Sequence, residues 1–404
     1  MNVTVKKGIA RGRVTAPPSK SIAHRLLIAA GLADGVSRIR GVSDCEDVLA
    51  TIDCLRALGA SVERDGEDVL VRGLDIGSVP EGTTLSCRES GSTLRFFLPI
   101  CLLTNVRCTM TGSEKLMSRP LSVYEELCRE NGFSYRHSPY SLTVKGRLSA
   151  SDIYLRGDVS SQFVTGLLFA LPLCDGNSRI HITTPLESRS YVNMTLECLK
   201  EFSVEARFED ESTIFVAGNQ SYKAKNISVE GDHSGAAFML ALNTLGGEVT
   251  VDGLSECSTQ GDRVCAELLK ELSSGFSEIC LEDCPDLGPI LFTVAAALHG
   301  ARFTGTRRLR LKESDRVEAM ARELRAFGAD IQIKENEVTV LKAGLHKPQD
   351  ALCGHNDHRI VMSLAVLCTL FGGEIEGAEA ICKSYPDFFD DLGKLGIEVI
   401  KNEI

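Results

Sequence analysis

Six stretches of the chain place polar or charged residues where an apolar run begins. They are PPSKSIAHR (17–25), RESGSTLR (88–95), GDVSSQF (157–163), EGDHSGA (230–236), CPDLGP (284–289) and HNDHR (355–359). Each opens a segment with helical spacing of apolar residues. The first turn of a helix carries four N–H groups without partners and a partial positive charge. Ser, Thr, Asp and Gly suit that position as caps, and Ser19 is expected to cap the first of these helices. Lys20, Arg25, Arg95 and Arg359 do not fit this explanation, because cations there oppose the dipole. They make sense where helix N–H groups and basic side chains hold an anion together, and the recurrence of the pattern points to a shared site for anionic ligands. A further charged block, Lys312–Glu313–Ser314–Asp315–Arg316, is expected at the start of an amphipathic helix, with Asp315 and Glu318 forming a capping box. Lys383 falls in a loop before the last helix.

The elements that position these groups repeat. An apolar helix, a small turn and a short strand recur with turn residues Gly35, Asn105, Gly176, Gly247, Gly300 and Gly373. All but one of the intervals are about 70 residues; the interval from Gly247 to Gly300 is shorter, which predicts a trimmed fourth unit. Between these copies runs a second pattern: an amphipathic helix, a turn and a strand hairpin. Six units divide into two groups of three, with a boundary near 229–232. The apolar helices are expected inside and the amphipathic ones nearer solvent. The last unit looks short of a strand, which the N-terminal strand is expected to supply.

The composition narrows the function classes. The chain has 404 residues, enough for two or three domains, and a formal charge of −11. That charge disfavours nonspecific binding to nucleic acid or to an anionic membrane, so any anion must be met by cations gathered locally. No apolar run approaches the length of a membrane span, and the N-terminus lacks the apolar core of a signal peptide. Fifteen scattered cysteines without a CxxC motif, and eight histidines without ligand spacing, favour free thiols in a reducing cytoplasm over a zinc site.

Taken in order, these stretches resemble the motifs of the enolpyruvyl transferase family. The series is PSKSIAHR, ESGSTLR, LMSRP (116–120), GDVSSQF, ESRSY (187–191), CPDLGP, LKESDR, NDHR and CKSYPDFF, spanning residues 17 to about 389. No motif is decisive alone, and the ordered series is specific. The resemblance implies an α/β (α+β) fold of two similar domains. Each holds three βαβαββ repeats around inward helices, an inside-out α/β barrel of six units in all. Domain I is 1–18 plus 230–404, domain II is 19–229, and the active site lies in the cleft between them.

The implied reaction moves the enolpyruvyl group of phosphoenolpyruvate to the 5-hydroxyl of shikimate 3-phosphate and releases phosphate, on the way to chorismate and the aromatic amino acids. No metal or organic cofactor is implied. Carried over by motif, Lys20, Gly91, Arg119, Gln162, Arg316, Arg359 and Lys383 surround phosphoenolpyruvate. Lys20, Ser21, Arg25, Ser160, Ser161, Gln162, Ser188, Tyr191, Asp286 and Lys312 hold shikimate 3-phosphate. Asp286 and Glu313 are the acid–base pair, with Lys20 and His358 beside the reacting centre, and Arg95 braces the cleft. The expected protein is a cytoplasmic monomer acting on small molecules. The alternatives are the sister branch that uses UDP-N-acetylglucosamine, whose mobile loop usually carries a Cys that residues 111–120 lack, and a non-catalytic anion-binding relative, against which both carboxylates argue. Pro18, Glu89 and Arg308 depart from the usual Gly, Asn and Asn. Glyphosate competes with phosphoenolpyruvate in this family, and Gly91 is compatible with sensitivity to it.

Overall fold

A computed structural model describes residues 1–402, which fall into two units: Lys20–Glu230, inserted in the chain, and a discontinuous one made of Met1–Ser19 with the chain from Gly231 onward. Each has its own apolar core.

The inserted unit contains α1 (Lys20–Gly31), α2 (Glu46–Ala57), α3 (Gly91–Leu103), α4 (Glu114–Met117), α5 (Ser122–Glu130), α6 (Ser161–Ala170) and α7 (Arg189–Glu201). The apolar helices α1, α3 and α6 are buried along most of their length, since a helix that is apolar all round has no face to offer water. α3 packs on α6, and α1 packs on α2 and α7. The amphipathic α5 and α7 bury one face only.

Three four-stranded sheets cover these helices, and all have one connectivity. A parallel pair comes first, and a third and fourth strand add antiparallel. In the second sheet, Thr83–Ser86 runs parallel to Cys108–Thr111 with α3 as the crossover, and the hairpin Ser134–His137/Ser141–Lys145 completes it. The first sheet borrows its opening strand, Asn226–Ser228, from the end of the unit.

The discontinuous unit contains α8 (His233–Thr244), α9 (Cys265–Ser274), α10 (Gly288–Ala297), α11 (Arg316–Ala326), α12 (His358–Phe371) and α13 (Phe388–Lys394). The apolar α8, α10 and α12 pack on one another. One sheet repeats the full four-stranded pattern. A second is reduced to Glu248–Asp252 beside Arg11–Thr15, which is the trimmed fourth unit. In the last, Leu352–Cys353 and Gly373–Glu376 lack a hairpin of their own among the described residues. Asn2–Val5 fills the third position, between Gly373–Glu376 and Val399–Asn402. The strand missing from the sixth unit is therefore the N-terminal one, as its sequence implied. The fold is mixed α/β, with no closed barrel among the described residues, and no helix there is long and apolar enough to cross a membrane.

Candidate active site

In the discontinuous unit the charged block closes on one guanidinium. Asp315 caps α11 by accepting from the N–H groups of Val317 and Glu318, each at 3.1 Å, which turns Arg316, the first helical residue, inward. The Glu318 side chain does not complete the expected capping box but pairs with Arg310 at 3.2 Å. Arg316 is 1% exposed, and its side chain meets three carboxylates. Nη1 donates to Asp286 at 2.7 Å, Nη2 to Glu313 at 2.9 Å, and Nε to Asp357 at 2.8 Å. Burial works against its charge, but Asp357, Glu313 and Asp286 together outweigh it and raise its pKa. For the fully buried Asp357, burial again opposes the charged form, and Arg316 outweighs it, leaving that carboxylate below its ordinary value.

Asp286, on the short turn Pro285–Leu287, also receives Lys312 Nζ at 3.1 Å and Arg359 Nη2 at 3.3 Å. Burial lowers the pKa of Lys312, with Asp286 opposing. His358 and Arg359 are the first two residues of α12, which Asp357 caps through the Arg359 N–H at 3.0 Å. Lys383, ending the turn Ala378–Lys383, donates to the Asn356 carbonyl at 2.7 Å. Asp286, Lys312, Glu313, Arg316 and Arg359 thus form one bonded cluster. His358 is next to it in the chain, and Lys383 reaches the adjoining loop. Beside them Asp262, buried on the turn Gly261–Val264, has its pKa raised to about 7 by burial and by Asp286.

In the inserted unit the starts of α3 and α6 come together with the loop after α4. Ser90 caps α3 and Ser160 caps α6. Arg95 Nη1 donates to Gln162 Oε1 at 2.7 Å, and Nη2 to the Pro120 carbonyl at 3.0 Å. Gln162 Nε2 donates to Ser92 Oγ at 2.9 Å. Arg95 therefore braces α3, α6 and the loop carrying Arg119. At Gly91 two guanidinium groups approach the backbone closely: a Cβ there would lie 2.7 Å from Arg119 Nη1 and 3.1 Å from Arg95 Nη1, so one of them would have to shift. Ser161 is the first residue of α6.

Lys20, at the start of α1, pairs with Asp47 on α2 at 2.9 Å. Arg25 is tied to the protein by three of the five N–H groups of a guanidinium, donating to Thr195 Oγ1, the Ser21 carbonyl and the Tyr191 carbonyl at 2.9, 2.7 and 2.9 Å. It also lies over the rings of Phe96 and Tyr191. Burial lowers its pKa to about 10. Ser188, buried with φ +55, leads into α7 just before Tyr191. The Ser19 hydroxyl, expected to cap α1, turns instead to Gln260 Oε1 at 3.1 Å and Asp232 Oδ1 at 3.4 Å.

Sequence reasoning passed over Asp357, Asp47, Ser92 and Asp262. Asp357 and Asp47 looked like ordinary acidic residues at helix starts, and only the folded chain brings Arg316 and Lys20 to them. The arrangement has definite chemical capacity. Carboxylates held by one guanidinium can stand close with their mutual repulsion offset, and a carboxylate so held can give or take a proton where a substrate lies beside it. Lysines and arginines at helix starts attract anions.

A sequence profile of the EPSP synthase (3-phosphoshikimate 1-carboxyvinyltransferase) family matches residues 6–277 and 273–392. Among curated relatives, the 3-phosphoshikimate 1-carboxyvinyltransferase of Clostridium kluyveri is 39% identical, over 96% of each chain. That of Clostridium botulinum is 38% identical, again over 96% of each. Among solved structures, an EPSP synthase from Acinetobacter baumannii superposes with a TM-score of 0.79 at 23% identity, covering 99% of this chain and 100% of that one. The enolpyruvyl transferase NikO from Streptomyces tendae superposes with a TM-score of 0.77 at 16% identity, covering 99% of this chain and 98% of that one.

Proposed function

The chain belongs to the EPSP synthase family, and on that premise we propose how its residues divide the work of transferring the 1-carboxyvinyl group of phosphoenolpyruvate to the 5-hydroxyl of shikimate 3-phosphate. Asp286 takes the proton of the attacking hydroxyl. Glu313 gives a proton to C3 of phosphoenolpyruvate, which leaves C2 electrophilic, and takes one back from C3 of the tetrahedral adduct as phosphate departs. General acid–base assistance of this kind is worth about 10²–10⁴ in rate. The observation that carries this reading is the Arg316 hub, which bonds to both carboxylates at 2.7 and 2.9 Å and so fixes the spacing of the two proton-handling groups.

Arg359, Lys312 and Lys383 from one unit, and Lys20, Arg119 and Gln162 from the other, receive the carboxylate and phosphates. His358 lies beside the reacting carbons. Ser21, Arg25, Ser160, Ser161, Ser188 and Tyr191 hold shikimate 3-phosphate. Gly91 leaves room for phosphoenolpyruvate, and for glyphosate in its place. Several of these cations are occupied by protein oxygens: Lys20 by Asp47, Lys383 by Asn356, Arg359 by Asp286. Substrate anions exchange for those partners, so charged groups need not be left bare between turnovers. Domain I is taken as 1–18 plus 230–404 and domain II as 19–229, and each is expected to supply groups to the two substrates. We propose that the enzyme works as a monomer in the cytoplasm; its fifteen cysteines are all free thiols, which suits a reducing compartment.

A phosphate-release assay tests the reading. Phosphoenolpyruvate with shikimate 3-phosphate is expected to yield phosphate, and Glu313→Gln to lower kcat by about 10²–10⁴ with an unchanged circular dichroism spectrum. Release only with UDP-N-acetylglucosamine as acceptor would overturn the substrate assignment. Near-normal turnover by Glu313→Gln would remove Glu313 from the mechanism.

A further inference from the structure

Glu323 lies outside every motif that marks the site, yet it is buried, 4% exposed, in the third turn of α11. Both carboxylate oxygens are engaged by one loop. Oε2 accepts from the Cys353 N–H at 3.0 Å, and Oε1 from His355 Nε2 at 2.8 Å. Arg322, an exposed side chain, stands beside it at 3.6 Å. Arg316 and Glu323 are seven residues apart on α11, two turns on one face and about 10 Å along the axis. Arg316 grips Asp357 at the far end of the same loop.

Residues 353–357 are therefore held at both ends by a single helix. What lies between is unusual. His355 and Asn356 have φ of +50° and +52°, consecutive left-handed residues of which neither is glycine. Left-handed backbone is uncommon outside glycine; His and Asn adopt it more readily than most residues, and two in succession persist where the surroundings hold them. The His355 N–H points back to Cys353 Sγ at 3.4 Å, and the Asp357 N–H to the Gly354 carbonyl at 2.9 Å, so the loop is wound tightly. This winding sets the direction of the Asn356 carbonyl, which holds Lys383 at 2.7 Å. It also sets the start of α12, from which His358 and Arg359 project.

We propose that Glu323 is a positioning residue of this enzyme: through His355 and the Cys353 N–H it keeps loop 353–357 in the left-handed path that aims Lys383 and Arg359 at phosphoenolpyruvate. This rests on the assignment of Lys383 and Arg359 made above. A buried carboxylate with both oxygens committed allows the loop one arrangement. Without it, the left-handed pair relaxes and the two cations lose their common aim.

The test compares Glu323→Ala, Glu323→Gln and His355→Gly, with Lys383→Ala measured alongside. Glu323→Ala is expected to raise the KM for phosphoenolpyruvate on the order of tenfold and to lower kcat, while the KM for shikimate 3-phosphate stays within about twofold. Glu323→Gln keeps an acceptor for Cys353 and a polar partner for His355, and is expected to restore most of the loss. His355→Gly, which suits positive φ, is expected to shift the same KM in the same direction, and its effect is expected not to add to that of Glu323→Ala in the double variant. Should Glu323→Ala fail to fold, Glu323→Gln and His355→Gly carry the comparison. A Glu323→Ala enzyme with wild-type kinetics and only a lowered Tm overturns the inference, and so do additive effects of the two single variants. Lys383→Ala separates the causes. If it raises the KM for phosphoenolpyruvate while Glu323→Ala does not, the clamp alone is wrong. If it changes nothing, the assignment of Lys383 fails and the inference falls with it.

Discussion

Gly91 shows how little space separates a working contact from a broken one. It begins α3, and the guanidinium of Arg119 lies where a side chain would have to go. The φ of Gly91 is not in the left-handed region, so the requirement is for space rather than for backbone freedom. Gly91→Ala puts a methyl group 2.7 Å from Arg119 Nη1 unless that arginine moves. The expected outcome is a KM for phosphoenolpyruvate raised on the order of tenfold, because a guanidinium assigned to an anion loses its alignment when displaced by a fraction of an ångström. The KM for shikimate 3-phosphate should change little. Steady-state kinetics with each substrate varied in turn checks this, and equal KM values for both enzymes would show that Arg119 accommodates the methyl group without loss of phosphoenolpyruvate binding. Part of the candidate site was legible at this scale: Lys20, Arg25, Arg95 and Arg359 stood out because cations at helix starts conflict with the dipole, while the block 312–316 drew its roles from the resemblance to the family's motifs. Asp47 and Asp357 did not stand out, because an acid in that position conflicts with nothing.

Among the elements, α11 and α1 carry the clearest energetic consequences. Asp315 makes both cap bonds of α11 and shares Arg310 with Glu318, whose side chain makes that surface pair and no cap bond. Asp315→Ala is expected to destabilise the protein by about 1 kcal/mol, and Glu318→Ala by less than about 0.5 kcal/mol. Urea denaturation of both variants decides the matter, and equal losses would mean that the cap bonds add nothing to the pair with Arg310, which both acids make. In α1, His24 is buried, with Nδ1 2.7 Å from Thr51 Oγ1, in a hydroxyl chain that continues through Thr93 to Ser90, the cap of α3. Burial first, then Lys20 and Arg25, hold its pKa well below the ordinary 6.5. Below pH 6.5 the unfolded chain takes up a proton at this position and the folded chain does not, so stability falls as pH falls. The slope from this residue approaches about 1.4 kcal/mol per pH unit. His24→Asn is expected to flatten the dependence of unfolding free energy on pH between about 6.5 and 5 relative to wild type. Parallel curves for the two proteins would show that His24 does not titrate in this way.

At the scale of the whole molecule, the N-terminal segment is structural. Asn2–Val5 is an interior strand between Gly373–Glu376 and Val399–Asn402, and Val3 and Val5 are fully buried. Val3→Ala is expected to cost about 2 kcal/mol and to lower the protection of amide hydrogens in both neighbouring strands. Exchange in Gly373–Glu376 and Val399–Asn402 that matched wild type would contradict that role. The sequence alone determined the number of units, the trimmed fourth unit and the unit short of a strand, whereas most candidate site residues came from the resemblance of the ordered motifs to a family. The units were legible because helix period, strand alternation and turn residues are local properties that a repeat displays again and again. Only the tertiary structure decided which charges meet. Arg316 reaches Asp286 and Asp357 across 30 and 41 residues, and Glu323 reaches His355 across 32. Such pairings depend on how helices pack and which way a buried side chain must turn to find an opposite charge, and no local pattern of residues encodes that distance.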